Sequence, residues 1–187
     1  MNFRQALPTR STSTNERDFK LQAHLEAARI LGPLIPLSRF EKAAFRDAMR
    51  SDDAATAFFG SLLSVLTTES LNPARFNEYA ETVTSLPADV GRVASWPVAS
   101  IFLYVADPSR HMFLKPNVTN NAAAAIHFDL QYSATPNWAT YEALLRMSTL
   151  YLDLLKSMGA RDFIDVQSFI YVSCGGYDYA RTKATKA

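Results

Sequence analysis

The sequence predicts a mainly α-helical domain, and three observations lead to that prediction. Apolar residues recur at three- and four-residue spacing over much of the chain, the period of a helix that buries one face. Residues typical of helix N-termini precede most of these stretches. The chain contains only 6 glycines in 187 residues, which argues against a turn-rich β fold. We therefore expect a compact, multi-helix, all-α domain.

The first half of the chain has a start signal for each predicted helix. Capping-box patterns, a Ser followed three residues later by Glu, open the predicted helices 13–31 and 38–50. Ser51 precedes acidic residues and a Phe- and Leu-rich helix. Asn72 is followed by a proline suited to a first helical turn, and another proline opens a short predicted helix over 87–93.

Two apolar segments are ambiguous. Residues 96–105 fit a buried helix or a buried strand, because periodicity does not separate the two for a short run. Residues 162–174 are ambiguous in the same way, and we favour a helix because no partner strand is evident. The alternative fold is therefore α+β, with a small sheet built from residues 98–115 and 163–173.

If 162–174 is helical, Asp165 is expected to cap it, and Val166, Phe169 and Ile170 are expected to face the core. Upstream, a turn is predicted at 107–109.

The chain is expected to be extended over 111–114, before the proline at 116. Thr119 is predicted to cap a helix through Ile126.

The clearest helix is predicted over 136–158. Thr135 or Asn137 would cap it, and Gly159 would end it in a left-handed conformation. Its apolar stripe runs at three- and four-residue steps: Tyr141, Leu144, Leu145, Ser148, Tyr151, Leu152 and Leu155.

Composition is that of an ordinary globular protein. Hydrophobic residues make up 48% and charged residues 20%, and the net charge of +1 gives no bulk reason to expect nucleic acid or an anionic membrane. The start lacks the pattern of a signal peptide, and the longest apolar run, 95–105, is shorter than the roughly 20 residues that span a bilayer. We expect a cytoplasmic protein with no membrane contact. One domain should cover 13–174, between a flexible tail at 1–12 and a flexible basic tail at 175–187.

The first candidate site is a polar loop with Arg110, His111 and Lys115. An Arg can bind phosphate or carboxylate through two hydrogen bonds, and a Lys acts as a point charge. The alternative is a plain turn, in which Asp107 caps and Arg110 pairs locally.

The second candidate site contains Asp162, Asp165 and Gln167. Two carboxylates three residues apart on a helix share a face and could hold a divalent cation or act as acid and base. With Lys115 alongside, they would resemble the acid–acid–lysine set of a nuclease. Such a nuclease core needs a sheet to present these groups, and no convincing sheet is evident, so we favour helix capping as the role of the two aspartates.

The remaining reactive side chains form no recognisable motif. His24, His111 and His127 lack the paired spacing of metal ligands, and the single cysteine, Cys174, is expected to be a buried, inert thiol. The sequence contains neither a phosphate-binding glycine loop nor a nucleophile elbow. We therefore expect no metal and no cofactor.

Three phrases in the second half resemble a family of uncharacterised bacterial proteins. They are DPSRHMFLKP at 107–116, PNWATY at 136–141 and DFIDVQSFI at 162–170, within a stretch of about 96–172. The family has no established activity, so the resemblance implies none. It implies a bacterial protein, with a loose association with DNA restriction or defence. All six candidate residues lie in the first and third phrases, which fits a shared site or a shared folding motif.

The leading functional hypothesis is a non-catalytic binding or interaction protein linked to nucleic-acid metabolism or defence. Its partner would be a protein or a nucleic acid, and it could form a homo-oligomer. The alternatives are a metal-dependent enzyme acting on nucleic acid and a small-molecule sensor. The sequence favours a non-enzyme, because it contains no known catalytic constellation.

Overall fold

Helices make up the regular secondary structure of the described part of the chain. The computed structural model describes residues 37–68, 71–87 and 94–175. Within these ranges it has no strand, and its helices are α1 (Arg39–Ala48), α2 (Asp52–Thr67), α3 (Pro73–Ser85), α4 (Trp96–Ala106), α5 (Pro116–Ala125), α6 (Trp138–Leu155), a 3-10 helix (Lys156–Met158) and α7 (Phe163–Ser173). The all-α prediction is confirmed. The alternative sheet over 98–115 and 163–173 is wrong, since helices α4 and α7 cover most of these segments.

Several predictions lie outside the described residues. They are the tail at 1–12, the helix at 13–31, all but the first residue of the helix at 87–93, and all but the first residue of the tail at 175–187.

Side-chain caps begin the helices where the sequence predicts them. Ser38 Oγ accepts the Glu41 N–H at 3.2 Å, and a Glu41 carboxylate oxygen accepts the Ser38 N–H at 2.7 Å. Ser51, Asn72 and Asn137 each accept a backbone N–H three residues further on. These caps satisfy N–H groups that the first helical turn leaves without a partner.

Helix α5 begins earlier than predicted. Its first residue is Pro116, whose fixed backbone angle suits a first turn, so Thr119 lies inside the helix rather than at its cap. Thr119 still stabilises the start of the helix, because its Oγ1 accepts the Lys115 N–H at 3.1 Å.

Helix α7 differs from the prediction in two respects. Its cap is Asp162, whose Oδ1 accepts the N–H groups of Ile164 and Asp165 at 2.9 and 3.3 Å. Asp165 therefore lies in the first turn. Phe169 does not face the core, since it is 38% exposed; buried Val166 and Ile170 do, as predicted.

The core is built around α4. This helix packs against α1, α2 and α3, and every residue from Trp96 to Leu103 is buried. A helix surrounded by other helices needs apolar residues on all sides, which explains why 96–105 showed no helical period. Full burial of a large apolar side chain such as Phe102 is worth about 1.5–3 kcal/mol.

A pile of aromatic rings joins α3, α4 and α6. The rings of Phe76 and Tyr141 stack with centroids 4.2 Å apart, and Trp96 lies nearly parallel to Tyr141 at 6.4 Å. The Trp96 indole N–H donates to the Ser133 carbonyl at 2.6 Å. This pile fixes α6 on the core.

Helix α6 is the long predicted helix, and the 3-10 helix that extends it ends as expected, at Gly159 with a left-handed φ of 91°. Helix α6 packs against α3 and α7, and α7 also packs against α5. None of the described helices has both the length and the apolar character needed to cross a membrane.

Candidate functional site

Arg110 is attached to another helix. Its Nη2 donates to the Thr68 carbonyl at 2.9 Å, at the end of α2. The partner is 42 residues away in sequence, a long-range contact that the sequence analysis did not predict. The turn itself is present: the Asp107 carbonyl accepts the backbone N–H groups of Arg110 and His111. Arg110 thus anchors the turn to the carboxyl end of α2.

His111 is buried against α6. Its Nδ1 lies 3.1 Å from the Tyr141 hydroxyl, and the two rings are nearly parallel with centroids 6.4 Å apart. Burial raises the pKa of Tyr141 well above its ordinary value of 10, so the hydroxyl stays neutral. His111 therefore contacts a neutral hydroxyl within the core.

Lys115 lies at the N-cap of α5 and points towards α7. Its Nζ is 5.6 Å from the centroid of the Tyr171 ring, which is within the range of a cation–π contact. Lys115 thereby links α5 to the second half of α7.

The carboxylates of the second cluster bind backbone and guanidinium groups. Asp162 caps α7. Asp165 Oδ2 accepts the Arg161 backbone N–H at 2.9 Å and its Nε at 3.1 Å. These hydrogen bonds lower the pKa of Asp165. Gln167 differs, because its Oε1 is buried and has no hydrogen-bond partner among the described residues.

The structure brings the two clusters next to each other, but does not assemble a nuclease-like set. The Phe163 N–H donates to the Pro108 carbonyl at 3.1 Å, which joins the loop to the start of α7. Lys115, however, sits at Tyr171, six residues or about 9 Å of helix beyond Asp165. Within the described ranges, no three His, Cys, Asp or Glu side chains are grouped as metal ligands would be.

Tyr104 lies close to the aspartates of α7. Burial raises its pKa to about 12, and the charges of Asp162 and Asp165 add to the effect. A hydroxyl with that pKa stays protonated at neutral pH, so it does not supply a base.

The phrases at 107–116, 136–141 and 162–170 meet in space. The first touches the second through His111 and Tyr141, and touches the third through Pro108 and Phe163. Arg110, His111 and Lys115 each contact a separate helix, as expected of a folding motif, whereas Asp162 and Asp165 bind groups at the start of α7 itself.

An open groove of about 470 Å³ lies between the end of α6 and α7. We call it the α6–α7 groove. It is lined by Leu155, Met158, Gly159, Ala160, Arg161, Asp165, Ser168 and Phe169.

Exposed apolar side chains also lie on the two elements that form the groove, where Met158 and Phe169 line it, and the sequence analysis did not single them out. Leu150, Leu154 and Met158 follow one another every four residues along α6 and its 3-10 extension, and the last two are 65% and 76% exposed. On α7, Val172 is 59% exposed, one turn beyond Phe169 and Ser168. The sequence did contain a signal of these exposed residues, because Leu150 and Leu154 are apolar and lie outside the predicted core stripe of α6.

Comparisons of the chain with protein-family models, with curated proteins and with solved structures found no match. The function proposed below rests on the geometry of the molecule.

Proposed function

We propose that this protein is a non-catalytic interaction protein that binds an amphipathic helix of a partner protein in the α6–α7 groove. The observation that carries the proposal is the row of exposed apolar residues along α6, which ends at the groove residue Met158, together with exposed Phe169 and Val172 on α7. Exposed apolar side chains that cluster, rather than lie scattered, are typical of protein-binding surfaces.

The groove has the dimensions of a helix-binding site. Leu150, Leu154 and Met158 span eight residues, or about 12 Å at 1.5 Å per residue, which equals slightly more than two helical turns. A partner helix with apolar residues at i, i+4 and i+7 would lay them along this row. Leu155 and Phe169 form the apolar floor on which such side chains would rest.

The charges at the groove fit the same partner. Arg161 and Asp165 are the charged lining residues and pair with each other, so the groove presents little net charge. When an apolar side chain of the partner is buried there, Arg161 and Asp165 keep each other as partners, so no described lining charge is left unpaired.

A display library of helical peptides, selected against the full chain, tests the proposal. We expect enriched peptides to share apolar residues at i, i+4 and i+7. Their affinity should fall by about tenfold or more for the double variant Leu154→Asp/Val172→Asp, because each change places a charge in an apolar contact. Fluorescence titration measures the affinities. The matched control is Phe40→Asp, an equally exposed apolar position on α1.

Three results would contradict the proposal. The first is selection without enrichment, or enriched peptides that bind the double variant unchanged. The second is a concentration-dependent dimer in sedimentation that Leu154→Asp dissociates, which would assign the groove to a second copy. The third is tighter peptide binding after removal of residues 1–36, which would assign the groove to the chain's own N-terminal segment.

A further inference from the structure

Basic side chains follow one side of α1. Arg39, Lys42, Arg46 and Arg50 are separated by three or four residues, which places them on one face of the helix and of the turn after it. We call this set the basic face. Lys42 is partly exposed and the three arginines are exposed. From Arg39 to Arg46 the face is about 10 Å long.

Most of the basic face carries uncompensated charge. Among the described residues, no ion pair involves Arg39, Lys42 or Arg46, whereas Arg50 pairs with Asp47 at 3.4 Å. The Glu41 carboxylate is turned to the start of the helix, where it accepts the Ser38 N–H. As far as the described residues go, three cations have no carboxylate partner and can meet an anionic one, although the whole chain has a net charge of only +1.

An exposed aromatic ring lies beside these cations. Phe40 is 62% exposed, and the Arg39 guanidinium carbon is 4.7 Å from its ring centroid. A flat ring next to a guanidinium offers a stacking surface for a base while the cations bind phosphates.

The opposite side of α1 is occupied, which restricts the class of partner. Ala44, Phe45 and Ala48 are buried in the core, so α1 cannot turn an apolar side into a lipid bilayer. A nucleic-acid duplex hides the faces of its bases within the stack, whereas a single strand exposes them to a ring such as Phe40. We propose that the basic face and Phe40 bind single-stranded nucleic acid without sequence preference. This inference does not depend on the α6–α7 groove.

Fluorescence anisotropy with a labelled 12-nucleotide oligo(dT) and the full chain tests the proposal. With three phosphate contacts, the slope of log affinity against log salt should be about −2, since each contact contributes about −0.7 on a single strand. The double variant Arg39→Gln/Arg46→Gln should bind at least tenfold more weakly at low salt, and its slope should fall to about −0.7. Its matched control, Arg146→Gln/Lys156→Gln on α6, removes the same charge and should bind as the unaltered chain does.

The variant Phe40→Ala distinguishes the contribution of base stacking to oligo(dT) binding from the contribution of charge. This exposed substitution should leave the melting temperature and the salt slope unchanged and weaken oligo(dT) binding by about tenfold, the value expected for loss of one stacked base. The proposal is overturned if no anisotropy change occurs at low salt, or if both double variants weaken binding equally. It is also overturned if a 12-base-pair duplex binds as tightly as oligo(dT) and Phe40→Ala changes neither the affinity for the duplex nor the affinity for oligo(dT).

Discussion

At the scale of single residues, the contact between His111 and Tyr141 joins the loop before α5 to the long helix. Both side chains are buried, and the Tyr141 ring also stacks on Phe76 at 4.2 Å. A buried polar group that loses its partner keeps its desolvation cost, so this pair is sensitive to removal of one member.

We expect Tyr141→Phe to lower the free energy of unfolding by about 1–3 kcal/mol, because the ring stack remains while the hydroxyl contacts to His111 and to the Met112 backbone are lost. Denaturant titration measures the change. Tyr132→Phe is the control, since Tyr132 is 39% exposed and its hydroxyl stays in contact with water. An equal effect of both substitutions would contradict this role of the buried contact.

The pairing of Asp165 with Arg161 predicts a dependence on pH. Hydrogen bonds from Arg161 lower the pKa of Asp165 below its ordinary value of 3.8. A carboxylate with a lowered pKa stabilises the folded state above the unfolded pKa, and this contribution is lost as the pH falls through the folded pKa. Asp165→Asn should therefore reduce the melting temperature at pH 7, and the difference from the unaltered chain should shrink below about pH 3.8.

The control for this titration is Asp153→Asn, an exposed aspartate of α6 that forms no ion pair within the described residues. A difference between Asp165→Asn and the unaltered chain that stays constant from pH 7 to pH 2 would show that charge is not its cause.

At the scale of elements, two glycines have opposite roles. Gly60 lies inside α2, and Gly159 ends the α6 extension with φ of 91°. A Cβ added at either position would meet no atom within 4 Å, so contacts do not decide the effect of a substitution. Backbone conformation decides it.

We expect Gly60→Ala to stabilise the protein by about 0.5–1 kcal/mol, because alanine loses less freedom than glycine in a helix. Gly159→Ala should destabilise it by about 1–2 kcal/mol, because a left-handed conformation strains any residue with a Cβ. Thermal melting of both variants gives the signs directly. If both changes have the same sign, backbone conformation is not the controlling factor.

A local cap or a clear periodic stripe made most helices predictable from the sequence, whereas the segments of α4 and α7 stayed ambiguous between helix and strand. Ser38, Ser51 and Asn72 marked helix starts correctly, because a cap is a local interaction between residues three apart. Helix α4 showed no period because it is buried on all sides, and helix α7 showed none because it is apolar on its exposed side as well.

The candidate sites were harder to predict because their partners are distant in the chain. The Thr68 carbonyl that holds Arg110 and the Tyr171 ring beside Lys115 are set by how helices pack, which no local spacing encodes. The α6–α7 groove depends on packing in the same way. Its exposed leucines, Leu150 and Leu154, stood out in the sequence only as apolar residues outside the core stripe of α6.

At the scale of the whole molecule, α4 connects the early helices to the later ones. It packs against α1, α2 and α3, and its Trp96 belongs to the aromatic pile that holds α6. The Phe102 ring is tilted against Phe45 of α1 at 4.8 Å and packs edge-on against Phe58 of α2 at 5.2 Å. The described helices therefore share one core, and damage at its centre should reach all of them.

We expect Phe102→Ala to destabilise the protein by about 3–5 kcal/mol, because it leaves a cavity where three helices meet. Small domains have only about 5–15 kcal/mol of stability, so this loss should shift the unfolding midpoint strongly. Far-ultraviolet circular dichroism follows all helices, and the fluorescence of the two tryptophans follows the aromatic pile. Both signals should shift by the same amount, because one core implies one cooperative transition. Should the circular dichroism move without the fluorescence, α1 and α2 would unfold separately from α6, and the connecting role of α4 would be wrong.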